Sequence, residues 1–210
     1  MATTLAILAG GAGSRMGMPK AWLTLREQPI LRYLMSQIDW HGPKLLVTSP
    51  GREHPPASDL FDREIVDVQA DQGPLQGVVT ALQHVETDDL IALTCDMPLV
   101  QKWQLHWMME QLHRRPDSRA IMLARRAQGQ ARIEPFPIAL RACALPLLQE
   151  KLDSVDRSIF SLCDRPGFAA LPPPADWPAE MWTNLNHPAD LAAFEKAITP
   201  APSSSARRCP

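Results

Sequence analysis

The chain has 210 residues, 45% of them hydrophobic and 21% charged, with a formal net charge of −2. That composition supplies a packed core and excludes a disordered charged tail, and the near-neutral balance argues against a surface built to coat nucleic acid. No apolar run reaches the roughly 18 residues of a membrane span, and Met1 to Leu8 lacks the basic leader of a secretory signal.

Thr3 to Leu8 is a short apolar run that ends in glycines, the pattern of a buried parallel strand feeding a phosphate-facing loop. Ile30 to Trp40 has a helical period, with Pro29 suited to its first turn. Lys44 to Thr48 and Glu64 to Val68 read as the second and third strands, Gly77 to Val85 as a helix, and Asp89 to Thr94 as a fourth strand. Val100 to Leu112 is a helix on which Trp103, Trp107 and Met108 form an apolar stripe for the core. Ala120 to Ala124 gives another strand, Pro137 to Leu140 one more, and Leu191 to Ile198 a closing helix. Strands alternating with helices predict a doubly wound α/β fold, Rossmann-like, with a mainly parallel sheet and helices on both faces.

From Pro166 onward nine prolines fall in the last 45 residues, so an irregular lobe and a disordered tail over 199–210 are expected. Residues 1–198 then form one domain, with a nucleotide half over about 1–115 and a second-substrate half over about 116–198. Cys95, Cys143, Cys163 and Cys209 make no C-x-x-C pair, and the histidines match no metal motif, although His106 and His113 fit one helix face. Reduced thiols and a cytoplasmic location follow.

Glycine is sparse, yet Gly10, Gly11, Gly13 and Gly17, four of ten, fall within eight residues. A Walker loop needs G-K-[ST], but Lys20 stands between Pro19 and Ala21. A dinucleotide loop needs G-x-G-x-x-G and an acid near the end of the second strand; the spacing is one residue too long, and Leu46 to Ser49 holds no acid. A nucleoside-triphosphate loop fits better: backbone amides wrap the phosphates while Arg15 and Lys20 bring positive charge. An ordinary strand-to-helix turn is the competing explanation.

LAGGAGSRMGMPK, over residues 8–20, resembles the signature of the molybdenum cofactor guanylyltransferase (MobA-like) family of nucleotidyltransferases. Three further pieces keep the family's order: GPLQGVVTAL at 73–82, LTCDMPLV at 93–100 and WTNLNHPADL at 182–191. The resemblance covers most of residues 3–195 and implies a fold like that of sugar-nucleotide pyrophosphorylases. It assigns nucleotide contacts to Leu8, Ala9, Gly10, Gly11, Gly13, Lys20, Asp67, Asp71, Gly73, Pro74 and Asp96.

Asp96 follows a buried strand at the sheet edge where α/β folds bind ligands. One carboxylate beside phosphates suits Mg²⁺, which keeps several waters, and the resemblance makes Asp96 its ligand; capping the next helix is the alternative. Asp67 ends the third strand and is preferred over Asp71 as the nucleotide contact, while Gly73-Pro74 opens a helix at a natural phosphate seat. Asn184 and Asn186 precede Pro188, and Asn186 is a second candidate for the metal, with an N-cap role for Asn186 or His187 as its competitor.

No Ser or Cys stands beside a plausible His base in any of these motifs, which suits nucleotidyl transfer. The resemblance implies in-line attack by the terminal phosphate of molybdopterin on the α-phosphorus of GTP, with Lys20, Arg15 and Asp96 as the catalytic set. Arg125, Arg126, Arg132 and Arg157 are candidate anion partners for that second substrate, and molybdoenzymes or their chaperones are candidate protein partners. Two departures bear on base choice: Thr48-Ser49 stands where relatives carry an asparagine, and Leu25 to Pro29 lacks the usual glycine. A cytidylyltransferase, an inactive nucleotide-binding accessory protein and, more distantly, a Rossmann oxidoreductase are the alternatives.

Overall fold

A computed structural model describes residues 2–11, 13–69, 72–127 and 129–198. In chain order it contains β1 (Thr3–Leu8), β2 (Thr24–Leu25), β3 (Gln28–Pro29), α1 (Ile30–Ile38), β4 (Lys44–Thr48), β5 (Arg63–Val66), α2 (Pro74–His84) and β6 (Asp89–Thr94). Then follow α3 (Lys102–His113), β7 (Ala120–Ala127), β8 (Gln130–Arg141), α4 (Leu145–Asp153), β9 (Phe168–Leu171) and α5 (Pro188–Ile198).

Seven strands form one sheet in the order β5-β4-β1-β6-β8-β7-β9. β5, β4, β1 and β6 run parallel, β8 runs antiparallel to both β6 and β7, and β7 is parallel to β9. Leu5, Ala6, Ile7 and Leu8 are all buried, as are Leu90 to Leu93, so neither strand has a solvent face. That is why these segments are continuous apolar runs rather than alternating ones. α2 packs against β1, β4 and β5, and α3 packs against β7 and β8.

The element boundaries carry physical reasons. α1 stops at Ile38, short of Trp40, because Asp39 turns into the left-handed region with φ +46° and its N–H donates to Met35 O. β5 ends at Val66, and Val68, 79% exposed, lies beyond it. α2 begins at Pro74, three residues before the expected Gly77, with proline in the first turn where its missing N–H costs nothing. β8 reaches back to Gln130, well before Pro137, because its polar first half pairs with the end of β7 in a hairpin. α4, β9 and the two-residue pair β2–β3 were not expected from the sequence.

The tryptophan stripe on α3 divides. Met108 is fully buried, but Trp103 is 45% exposed, and Trp103 and Trp107 meet the edge of Trp177 from the proline-rich lobe. His106 and His113 do not act together: the first stands edge-on to Trp40, and the second lies 2.6 Å from Asp89. No helix among the described residues is long and apolar enough to cross a membrane. The segment 199–210, expected to be a tail, falls outside the described residues.

Candidate functional site

The carboxyl ends of β1, β4 and β6 open onto a cleft of about 300 Å³. Parallel strands deliver their C-terminal loops to one edge, so residues distant in sequence meet there. Of the residues expected at a nucleotide site, Leu8, Gly10, Gly11, Lys20, Asp67, Gly73, Pro74 and Asp96 line this cleft.

Lys20 opens a single 3₁₀ turn after Pro19. Its Nζ donates to Asp96 Oδ2 at 2.5 Å and to Asn186 Oδ1 at 2.7 Å, across 76 and 166 residues of sequence. Asp96 follows Cys95, whose N–H donates to Leu8 O at 3.1 Å and so extends the β1–β6 pairing. The Asp96 side chain is 10% exposed, and its Oδ1 is buried without a partner. Leu185 N–H donates to Asp96 O at 3.0 Å, which lays the loop before α5 across the end of β6.

Of the two N-cap candidates, His187 holds the position, its O accepting from Asp190 N–H at 2.9 Å and Leu191 N–H at 3.4 Å, whereas the Asn186 side chain faces Lys20. The Asp190 carboxylate reaches back, its Oδ2 accepting from Asn186 N–H at 2.9 Å and His187 N–H at 2.8 Å. Those donors hold the Asp190 carboxyl below the usual range. The Asp190 carboxylate thus fixes the backbone of this loop, and the Asn186 side chain points at Lys20. Asn184 turns back on its own loop, donating to Trp182 O at 3.3 Å.

The glycine loop is shaped by close approach. Gly10 O accepts from Ser49 Oγ at 2.7 Å and from Arg52 Nη1 at 2.9 Å, and a Cβ at Gly10 would stand 2.8 Å from Ser49 Oγ. Gly13 has φ +61°, and its O accepts from Met16 N–H at 2.8 Å. Gly13 shapes the loop without lining the cleft, and Ala9 is buried, its N–H donating to Val47 O at 2.7 Å. Arg15 is exposed and does not line the cleft, so its expected place among the catalytic groups is not what this conformation presents. Asp71 lies outside the described residues.

Asp67 follows β5, and its N–H donates to Thr48 O at 2.8 Å. Its Oδ1 is buried with no partner, and the residue lines the cleft. Burial raises the carboxyl above the ordinary 3.8, with a hydrogen bond from Thr80 acting the other way. A raised acid charges less readily in the folded chain than in the unfolded one. Its penalty is therefore absent below pH 3.8 and complete above the raised value. Asp67→Asn removes that penalty and is expected to raise Tm at pH 7, with the gap closing as pH falls toward 3.8. Thermal melts across pH check this, and a lower Tm at pH 7 would contradict it.

Sequence reasoning missed Gln72, Thr94 and Cys95, which also line the cleft, and noted Ser49 only as a departure bearing on base choice. Ser49 was visible as the residue after β4, but its role is to hold the Gly10 backbone, which no motif records. Burial pushes the Cys95 thiol far above its usual range, so this cysteine is no nucleophile.

The four candidate anion partners separate. Arg126 and Arg132 are exposed, and Arg157 is exposed and donates to Gln72 Oε1 at 2.5 Å. Arg125 is fixed: its Nε donates to buried Glu134 at 2.7 Å, and its guanidinium lies 5.2 Å from the Trp182 ring centre. β8 runs antiparallel to β6, so the Arg125–Glu134 end of the hairpin stands at the same sheet edge as Asp96.

A family model described as the MobA-like NTP transferase domain matches residues 5–171. The chain is 28% identical over 207 residues, 97% of each chain, to a probable molybdenum cofactor guanylyltransferase of Nostoc sp.. It is 28% identical over 155 residues, 73% of each, to the molybdenum cofactor guanylyltransferase of Shewanella piezotolerans. Among solved structures, molybdopterin-guanine dinucleotide biosynthesis protein A from Archaeoglobus fulgidus matches with TM-score 0.73 and 21% identity, over 92% of this chain and 97% of that one. The 2-C-methyl-D-erythritol 4-phosphate cytidylyltransferase from Thermus thermophilus matches with TM-score 0.67 and 16% identity, over 94% and 98%. At such identities the two structures speak for the fold alone.

Proposed function

The chain belongs to the MobA-like NTP transferase family, and from that membership we propose that it transfers GMP from GTP to the terminal phosphate of molybdopterin, releasing pyrophosphate. The observation that carries the reading is the convergence of Lys20, Asp96 and Asn186 at the mouth of a glycine-lined cleft. The names of the curated relatives support guanine over cytosine, whereas the fold is shared with a cytidylyltransferase and does not choose.

Such a transfer needs charge neutralisation and alignment more than proton abstraction, because the attacking phosphate is already anionic near neutral pH. The Lys20 ammonium faces the cleft and is placed to meet triphosphate oxygens. The amides after β1 orient the phosphate chain, and Asp67, which lines the cleft, is the acceptor for a donor on the base or ribose. Asp96 and Asn186, the two residues that hold the Lys20 ammonium, bring the hard oxygen donors that suit Mg²⁺, which holds one or two protein oxygens and keeps its waters. When bound, that ion supplies further neutralisation of the phosphate charge. Arg125 is the acceptor-side residue the geometry favours, since Glu134 and Trp182 fix it and its terminal amino groups remain for an oxyanion.

Pyrophosphate release measured with molybdopterin, Mg²⁺ and each of the four nucleotides tests the reading. GTP is the expected substrate, and turnover with CTP alone would overturn the guanylyl assignment. In the same assay, Arg125→Met is expected to raise KM for molybdopterin about tenfold, within the range for a charged hydrogen bond, and to leave KM for GTP unchanged.

A further inference from the structure

The contacts that Lys20 makes are with the two oxygen donors that the nucleotidyl-transfer reading gives to a metal ion. We infer that Lys20 has a second role in that reaction: its ammonium keeps divalent cations off Asp96 and Asn186 until a nucleotide draws it away, so that cation and triphosphate enter together. The inference rests on the nucleotidyl-transfer reading.

Three observations carry it. Nζ lies 2.5 Å from Asp96 Oδ2 and 2.7 Å from Asn186 Oδ1, so a positive charge already sits against both oxygens. Asp96 offers no other open side, because its side chain is only 10% exposed and Oδ1 is buried. A divalent cation approaching from the cleft therefore meets an ammonium at contact distance, and the repulsion between them is little screened there. Lys20 can also leave without disturbing the fold. Its backbone is pinned by Leu23 N–H on Lys20 O at 3.1 Å and by buried Ala21, whereas its side chain is 20% exposed to the cleft. Only side-chain rotation is needed, and a triphosphate offers the ammonium new anionic oxygens in exchange for the carboxylate. Cation and nucleotide then reinforce each other's binding, and linkage requires the effect to be reciprocal.

The test uses Mn²⁺ as the probe and follows the electron paramagnetic resonance signal of the free ion during titration of the full chain. Without nucleotide, the wild type is expected to bind Mn²⁺ weakly, and Lys20→Met at least about tenfold more tightly, since a like charge has been removed from the seat. Lys20→Gln should show the same gain, and serves if the methionine variant does not fold. Adding Asp96→Asn to either variant should abolish the gain, which locates it at this site. With GTP present, and judged against the same titration of GTP without protein, the wild type should take up Mn²⁺ tightly. Equal uptake of free Mn²⁺ by wild type and the Lys20 variants would overturn the inference alone, as would a gain that survives Asp96→Asn. Failure of the wild type to take up Mn²⁺ with GTP would remove the nucleotidyl-transfer reading and the inference with it.

Discussion

Asp96→Asn is expected to lower kcat by about 10²–10³, the usual cost of losing one preorganised charge contact, while Tm stays within a few degrees of wild type. The two halves of this expectation have separate causes. Asparagine keeps the shape of the side chain but removes the negative charge that holds Lys20 at 2.5 Å and, under the proposed function, a metal ion. Stability changes little because opposing effects meet at this position. Removing one partner of an inward ion pair is unfavourable, but Lys20 keeps Asn186 as an acceptor and its side chain is 20% exposed, so it can reach water. The Asp96 Oδ1 atom is buried without a partner, and a neutral amide relieves the cost of burying that charge. Pyrophosphate release and a thermal melt on the same preparation check both halves. Activity near that of wild type would remove Asp96 from the reaction. A collapse of Tm would instead make it a structural residue.

The parts of this fold legible in the sequence are those buried on both sides. Thr3–Leu8, Lys44–Thr48 and Asp89–Thr94 are strands in the structure at the bounds their apolar runs indicate. Such runs have no other comfortable place than a covered sheet. The β7–β8 hairpin was only half legible, because Arg125 pairs with Arg132 and Ala127 with Gln130, and that polar register carries no core-facing pattern. β9 is four residues between Gly167 and Pro172, too short for any period to register.

The candidate site divides along the same line. Lys20 and Asp96 each sit in a local motif, one in a glycine loop and one after a buried strand, so both were nameable before the chain was folded. Asn186 was nameable only as a second metal candidate beside Asp96, and its contact with Lys20, across 166 residues, was not. Nor was the hold on its backbone, where the Asp190 carboxylate accepts from the Asn186 and His187 N–H groups. Arg15 shows the reverse case: the loop motif marks it as a phosphate cation, yet the folded loop leaves it exposed and outside the cleft lining. Residue type and spacing identify which groups could act, while the path of the loop decides which of them line the cleft.

That dependence on loop path makes Gly13→Ala the second large effect, expected to weaken GTP binding by at least about 10² and to lower turnover with it, as loss of alignment does. A Cβ on Gly13 would fall 1.9 Å from Met18 O and 2.8 Å from Met18 C, atoms of the backbone that cannot rotate aside. The residue is also in the left-handed region at φ +61°, where alanine is disfavoured. The chain must therefore move at Met18, and Met18 is followed by Pro19 and Lys20, so the displacement passes directly to the ammonium that contacts Asp96 and Asn186. Gly17→Ala is the control. It has φ +75° but meets nothing within 4 Å, so it carries the backbone cost of about 1 kcal/mol without the collision. Fluorescent GTP titrations of the two variants, with melts alongside, separate steric displacement of Lys20 from general loop strain. If Gly13→Ala binds GTP as Gly17→Ala does, the close packing of Gly13 on Met18 does not set the position of Lys20.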